Sequence, residues 1–247
     1  MEIQCKKGLY WEKPQFSFQT SIRSILFLSA EASQTTILMV QSRQNWVLFH
    51  LYEILYLDGN LLSGQIPSRL GSLSNLTFLD LSDNVLSGEL PDELGHLTNL
   101  EYLDIRGNNF NGQIPAFIAQ WKNIEDLYLM GNNFEWPVSH EVFQSLKNLE
   151  ILQLADITGS PRQDRYFPIV NTQSLKHLTL RNCSLGGPIP EFIWRSQSLE
   201  YLDLSFNNLV GELPTFASDN LKYIYLRGNM LNNSSQGWFT NISNSYV

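Results

Sequence analysis

The chain has 247 residues, of which 43% are hydrophobic and 16% charged, and its net charge is −8 at pH 7. That apolar content can build a packed core, and the charge is too low for a disordered acidic chain. An isoelectric point near 5.0 would repel a phosphate backbone on average, which excludes nucleic acid as a natural partner.

Residues 1–50 carry five Lys/Arg against three Asp/Glu, leaving eleven against twenty-one in residues 51–247. The charge therefore shifts from +2 to −10, and the texture changes with it, which places a boundary near residue 50. Within the leader, Arg23 precedes an apolar run at 25–28, and Ala30-Glu31-Ala32 resembles a cleavage site. That run is too short and too far from Met1 for a secretory signal. Further apolar bursts at 37–40 and 46–49 could cover the first structural unit or stay unordered. No stretch reaches eighteen apolar residues, so this chain is not expected to insert into a membrane. Two cysteines, Cys5 and Cys183, cannot build a disulfide framework, and Cys183 is expected as a buried free thiol.

From residue 52 the chain repeats itself. Asn60, Asn84, Asn108 and Asn132 are spaced 24 residues apart. Repeats occupy 52–75, 76–99, 100–123, 124–148, 149–174, 175–198 and 199–220, and a partial eighth begins at Leu221. Such a period marks a solenoid, in which one unit cannot bury its apolar face and stacking makes the core. In each LxxLxLxxN segment the apolar residues alternate over a short strand. Leu79 and Leu81, or Leu103 and Ile105, therefore point into one core. The Asn that follows offers a donor and an acceptor to buried turn backbone, and stacked turns are expected to share them as a ladder. Gly64, Gly88, Gly112, Gly187 and Gly211 each open a GxIP or GxLP turn leading to the outer side. The proline there lacks an N–H and suits a backbone not committed to a helix. Repeat five departs: Ile157 takes the ladder position and no GxIP turn follows. Pro161, Arg162, Arg165 and Pro168 predict a protruding loop, either a partner-contacting lip or a plain insertion.

The pattern LxxLxLxxNxLxGxIP resembles the plant-specific leucine-rich repeat over roughly four-fifths of the chain. The expected fold class is an α/β repeat: a right-handed leucine-rich-repeat solenoid with a parallel concave β-sheet and an irregular or 3-10 convex side. Within it, LTLRNCSLGGPIPEFI at 178–193, with Cys183 in the Asn position, is similar to plant leucine-rich-repeat receptor-like serine/threonine kinases. The irregular LADITGSPRQDRYFP at 154–168 narrows the likeness to the subfamily with a malectin-like domain after the repeats. The resemblance implies an extracellular sensing region that recognises a peptide or protein ligand, with a co-receptor as a further partner. In the full-length relative it would stand on the extracellular side of the plasma membrane. The family's paired-cysteine N-terminal cap has no counterpart in residues 1–50, and the malectin-like domain, membrane span and kinase have none anywhere. The chain thus reads as an internal slice of such an ectodomain behind an unrelated leader. Two alternatives stand beside this reading. One is a soluble secreted inhibitor of a cell-wall-degrading enzyme, resembling polygalacturonase inhibitors. The other is a truncated, non-functional gene product, whose Leu221, Ile224 and Leu226 would lack a covering repeat.

A solenoid presents its concave surface to ligands, and the strand positions between the core residues read as columns. The first holds Ile54, Phe78, Tyr102, Asp126, Ile151, His177, Tyr201 and Tyr223; the second holds Tyr56, Asp80, Asp104, Tyr128, Gln153, Thr179, Asp203 and Tyr225. A third runs Asp58, Ser82, Arg106, Met130, Ala155, Arg181, Ser205 and Arg227. The candidate partner-binding set is Tyr56, Phe78, Asp80, Tyr102, Asp104, Arg106, Tyr128, His177, Arg181, Tyr201, Asp203, Tyr223, Tyr225 and Arg227. Its aromatic and Arg content suits anchoring, although tyrosine also favours strands for its own sake. An acidic cluster (Asp58, Asp80, Asp83, Asp104) marks the first repeats, and Arg181 and Arg227 mark the last. Some peptide-reading relatives hold a terminal carboxylate with two arginines on one strand. Here Thr179/Arg181 and Tyr225/Arg227 offer one each, so no particular peptide hormone is implied. Asn75, Asn182, Asn232, Asn233 and Asn241 fit the glycosylation acceptor pattern.

Catalysis finds no support. His50, His96, His140 and His177 are scattered, and Gln144 stands where the second histidine of a zinc-protease motif beginning at His140-Glu141 would be. No phosphate loop, nucleophile elbow or paired-cysteine metal site occurs, so no cofactor and no metal are expected.

Overall fold

Each LxxLxLxxN segment folds as one short strand, and the strands stack in sequence order. The computed structural model of the chain describes residues 53–138, 142–157 and 167–232. The leader 1–50 with Cys5 and His50, the pair His140-Glu141, the loop residues Pro161, Arg162 and Arg165, and the sequons at Asn233 and Asn241 lie outside the described residues. With strands numbered in chain order, one per repeat forms an eight-stranded parallel sheet. Its members are β1 (Ile54–Tyr56), β3 (Phe78–Asp80), β5 (Tyr102–Asp104) and β7 (Asp126–Tyr128). They continue as β9 (Ile151–Ala155), β10 (His177–Arg181), β12 (Tyr201–Asp203) and β14 (Tyr223–Tyr225). Register is unbroken: Ile54 pairs Phe78, Phe78 pairs Tyr102, Tyr102 pairs Asp126, and so on to Tyr201 with Tyr223. The sheet is intact through repeat five despite its irregular spacing, since β9 pairs in register with both β7 and β10.

Behind the sheet, the alternate leucines form one continuous core. Leu79, Leu81, Leu103, Ile105, Leu152, Leu178 and Leu202 are all buried. The Asn ladder closes the turns above it. Asn84 Oδ1 accepts from the Leu62 amide at 3.0 Å, and its Nδ2 donates to the carbonyls of Leu57, Leu81 and Ser82. Asn108 and Asn132 repeat that arrangement on Leu86 and Phe110. Asn207 accepts from the amides of both Cys183 and Leu185. Where Ile157 and Cys183 replace Asn, both side chains are buried with the core. Cys183 is a free thiol, and burial pushes its pKa up to about 12.

On the opposite side the GxIP segments do what their glycines and prolines require. Gly64, Gly88, Gly112, Gly187 and Gly211 all have positive φ, the region glycine reaches without penalty. Pro67, Pro91 and Pro115 precede 3-10 turns at Ser68–Ser72, Asp92–His96 and Ala116–Gln120. Another 3-10 turn spans Phe143–Ser145, and Pro190 opens a single α-helical turn, Glu191–Trp194. The convex side is thus mostly 3-10, as expected.

Two features go beyond the sequence reading. Between the ladder and the 3-10 turns, short strands form a second parallel layer in two sheets. One comprises β2 (Ser63–Gly64), β4 (Val85–Gly88), β6 (Asn109–Gln113) and β8 (Asn133–Glu135). The other comprises β11 (Gly186–Gly187), β13 (Asn208–Glu212) and β15 (Met230–Asn232). The expected irregular segments there are in part regular strands, because repeats of equal length bring their backbones into pairing distance. At the opposite end of each 3-10 turn runs a second Asn ladder. Asn99, Asn123, Asn148 and Asn220 each donate to a carbonyl of the preceding repeat: Ser74, Thr98, Lys122 and Gln197.

Candidate functional site

Strand register decides which side chains meet on the outer face of the eight-stranded sheet. The first two columns read from the sequence are the registered pairs of that sheet. Stacking at strand spacing brings their rings together. Tyr56 and Phe78 lie 4.6 Å apart by centroid, Phe78 and Tyr102 4.0 Å and nearly parallel, and Tyr102 and Tyr128 5.5 Å. A second group forms on the last repeats: His177–Tyr201 at 5.6 Å, Tyr201–Tyr223 at 6.2 Å and Tyr201–Tyr225 at 5.3 Å. Ile151 and Gln153 lie on the strand between them, β9. Tyr56 keeps 49% of its surface exposed, whereas Phe78, Tyr102, Tyr128 and Tyr201 are half-buried by one another.

The carboxylates on this face divide into two kinds. Asp104 and Asp203 are buried, although both project from the outer side of the sheet. Asp104 Oδ1 accepts from the Arg106 amide and Nε, each at 3.0 Å, and its other oxygen meets Arg106 at 2.6 Å. The Arg106 guanidinium in turn lies 4.7 Å from the centroid of the Tyr128 ring. Asp203 accepts from the amide and hydroxyl of Ser205. These two are roofed, internally bonded groups, which corrects the expectation that every outward strand position is open to a partner. A short side chain between aromatic neighbours is covered by them even when it points outward. Thr179, Ser82, Ala155 and Ser205 are buried in the same way. Asp58 and Asp83 are exposed and Asp80 half-buried, and among the described residues Asp80 bonds only to the neighbouring Ser82. Burial and then the nearby Asp80 charge raise the Asp58 pKa. Burial raises Tyr102, and burial followed by Asp126 pushes Tyr128 up to about 12. Both phenols therefore stay neutral donors at physiological pH.

One residue of the face escapes sequence reasoning. Phe206 is 44% exposed and has φ of 59°. The Arg181 and Arg227 guanidinium carbons lie 5.1 Å and 5.9 Å from its ring centroid. The equivalent positions Gly59, Asp83, Gly107, Gly131, Asp156, Asn182 and Gly228 also have positive φ. Those residue types tolerate that backbone and a bulky one does not. A lone Phe in a Gly/Asp/Asn column was the available signal. Gly228 leaves room for the ring: a Cβ there would sit 2.9 Å from Phe206 Cδ1.

Of the described sequons, Asn75, Asn182 and Asn232 are exposed. Asn182 Nδ2 donates to Asp156 Oδ1 at 2.6 Å, so its acceptor nitrogen is engaged. Pro168 is buried. Among the described residues no cluster of metal-ligating side chains forms, and no helix is long and apolar enough to cross a membrane.

Known proteins match this architecture. The family described as Leucine Rich repeats (2 copies) matches residues 74–119, and that described as Leucine Rich Repeat matches 53–73, 174–196 and 198–218. A probable LRR receptor-like serine/threonine-protein kinase of Arabidopsis thaliana is 42% identical over 103 residues, covering 41% of this chain and 10% of the kinase. The crystal structure of PEPR1-AtPEP1 superposes with a TM-score of 0.66 at 29% identity, covering 74% of this chain and 26% of that one. The Arabidopsis receptor kinase HAESA, in complex with the peptide hormone IDA and the co-receptor SERK1, gives 0.58 at 30% identity, covering 74% and 34%. The chain spans 5–15% of the length of the curated relatives it matches. With strands, ladder and turns in the order these repeats dictate, the chain is a leucine-rich-repeat solenoid homologous to plant receptor-like kinases and receptor ectodomains.

Proposed function

We propose that the outer face of the eight-stranded sheet binds an extended peptide or protein segment lying across the strands, as the extracellular sensing region of a plant receptor-like serine/threonine kinase. The observation that carries this is the pair of aromatic groups, Tyr56–Phe78–Tyr102–Tyr128 and His177–Tyr201–Tyr223–Tyr225. Each offers half-exposed rings held rigid by strand register, which anchor a ligand at low entropic cost. Phenol hydroxyls at their edges add hydrogen-bonding groups, and Arg181 and Arg227, which have no carboxylate partner among the described residues, add charge. A solved relative at 30% identity carries, by its name, a peptide hormone with a co-receptor. A co-receptor contact and a place on the extracellular side of the plasma membrane follow from that homology. The segments 154–168 and 178–193 support the subfamily with a malectin-like domain, and the exposed Asn75, Asn182 and Asn232 are the glycan acceptors among the described residues.

The test is a photo-crosslinking screen of extended synthetic peptides against the full chain and against Tyr102→Ala, Tyr128→Ala and Tyr201→Ala variants. Truncating an anchoring ring costs about 1–2 kcal/mol or more, so each variant should lose about fivefold or more in affinity for the captured peptide. Unchanged affinity in all three would remove the face from consideration.

A further inference from the structure

The lip where the sheet turns toward the Asn ladder is charged oppositely at its two ends. Asp58, Ser82, Arg106, Met130, Ala155, Arg181, Ser205 and Arg227 follow one another along it. Backbone bonds hold these turns in step: the amides of Gly59, Asp83, Gly107, Asp156, Asn182 and Phe206 each donate to the next repeat's carbonyl. At the first repeats stand Asp58, Asp80 and Asp83; among the described residues none of the three has an ion-pair partner. The rings of Tyr56 and Phe78 lie on the same strands. In the middle Arg106 is ion-paired to Asp104, while Asp156 is hydrogen-bonded to the neutral Asn182 and keeps its charge. At the last repeats Arg181 and Arg227 flank Phe206, and among the described residues neither has a carboxylate partner.

Phe206 indicates that this end is built and not incidental. A bulky side chain in the left-handed region is strained, and such strain persists where the surroundings hold it and gather function. The ring lies over Gly228 and keeps two guanidinium groups on either side. An arginine stacked on an aromatic face retains its N–H fork for a carboxylate.

We infer that the ligand of this lip is an extended peptide with segregated charge: a basic stretch over repeats one and two, and a carboxylate-bearing stretch over Arg181–Phe206–Arg227. The inference rests on the peptide-binding reading above. It also sets a length. Repeats two and seven are five strand spacings apart, about 24 Å at ~4.8 Å per spacing, which an extended peptide spans with about seven residues. The segment between should be uncharged, facing Met130 and the buried Ala155.

The experiment uses the full chain and two fluorescent synthetic peptides of equal composition, each with one Lys/Arg block and one Asp/Glu block. In one the blocks are separated by about seven neutral residues and in the other by about two. At low salt the long-spaced peptide should bind about tenfold tighter, because both ends pair at once. Arg181→Gln with Arg227→Gln should abolish the difference. So should Phe206→Gly, which removes the platform while relieving the backbone. Photo-crosslinkers at the basic block should label repeats one to three, and those at the acidic block repeats six to eight. Equal affinities with labelling still on the concave rings would overturn the charge polarity and leave peptide binding standing. Labelling confined to the 3-10 side, or no binding of either peptide, would overturn both.

Discussion

At the level of single residues, the ladder asparagines show how position and not identity sets importance. Asn108 offers one acceptor to the Leu86 amide and donates to the carbonyls of Leu81, Ile105 and Arg106, all but the last buried. Asn60, in the first described repeat, is exposed and, among the described residues, donates only to Leu57 and Asp58. Removing a partner from buried backbone groups costs about 1–3 kcal/mol, and exposed groups find water instead. Asn108→Ala should therefore lower the urea midpoint clearly and Asn60→Ala hardly at all; similar losses from both would refute the ladder's role. Cys183 gives a chemical readout. Its thiol faces the Arg181 carbonyl at 3.2 Å and is buried with its pKa pushed up to about 12. In a Cys5→Ser chain, native protein at neutral pH should resist a thiol reagent and react fully once unfolded. Rapid native labelling would show that the site opens. The ladder was legible in the sequence because its spacing is strict, whereas Phe206 was not. Its meaning depends on two arginines from other repeats that converge only in space.

Between elements, close backbone approach sets the limits. Gly71 sits in the first 3-10 turn, where an added Cβ would lie 1.9 Å from the Glu93 carbonyl oxygen in the next turn. That clash is with backbone and cannot be relieved by rotating a side chain. Gly71→Ala should destabilise by about 1–3 kcal/mol and be visible as a lower thermal midpoint; a neutral substitution would mean that the turns are not packed as described. Repeat five interrupts the second layer of strands, and Trp136 bridges the interruption. Its indole N–H donates to the Cys183 carbonyl at 2.7 Å, across 47 residues of sequence. Trp136→Phe keeps most of the packing and removes that bond, at about 1 kcal/mol. Faster hydrogen exchange should appear around residues 183–187 in the variant, and unchanged protection there would count against the bridge. The 3-10 turns followed from the GxIP signature. The second strand layer did not, since two-to-five-residue strands rich in Gly and Asn carry no alternation that a sequence reader can detect.

For the molecule as a whole, the acidic balance has a consequence for stability. Asp58, Asp104 and Asp126 all have carboxyl pKa values raised in the folded chain, with burial the first cause in each. A raised folded pKa means that folding favours the protonated form. The stabilisation is complete below the ordinary carboxylate range near pH 4 and is lost as pH rises through it to the folded values. Asp126, pressed by burial and then by the Glu150 charge, is the cleanest probe. Asp126→Asn should flatten the decline of the urea midpoint between mildly acidic and neutral pH, and an identical slope in both proteins would show that this carboxyl does not contribute. Because repeats mainly contact their neighbours, with the Trp136–Cys183 bond reaching one repeat further, such local changes should spread weakly along the array.

The sequence alone determined the solenoid, the one-strand-per-repeat sheet, the inward leucines and the three columns of the outer face. All of these follow from periodicity, and a fixed period converts sequence spacing directly into spatial neighbourhood. Tertiary structure alone decided which column members remain open to a partner. Asp104 and Asp203 vanish beneath their neighbours, Asp58 and Asp83 stay exposed, and Arg181 and Arg227 converge on Phe206. Exposure and convergence depend on the sizes and rotamers of side chains in the same and adjoining repeats, which the period does not encode.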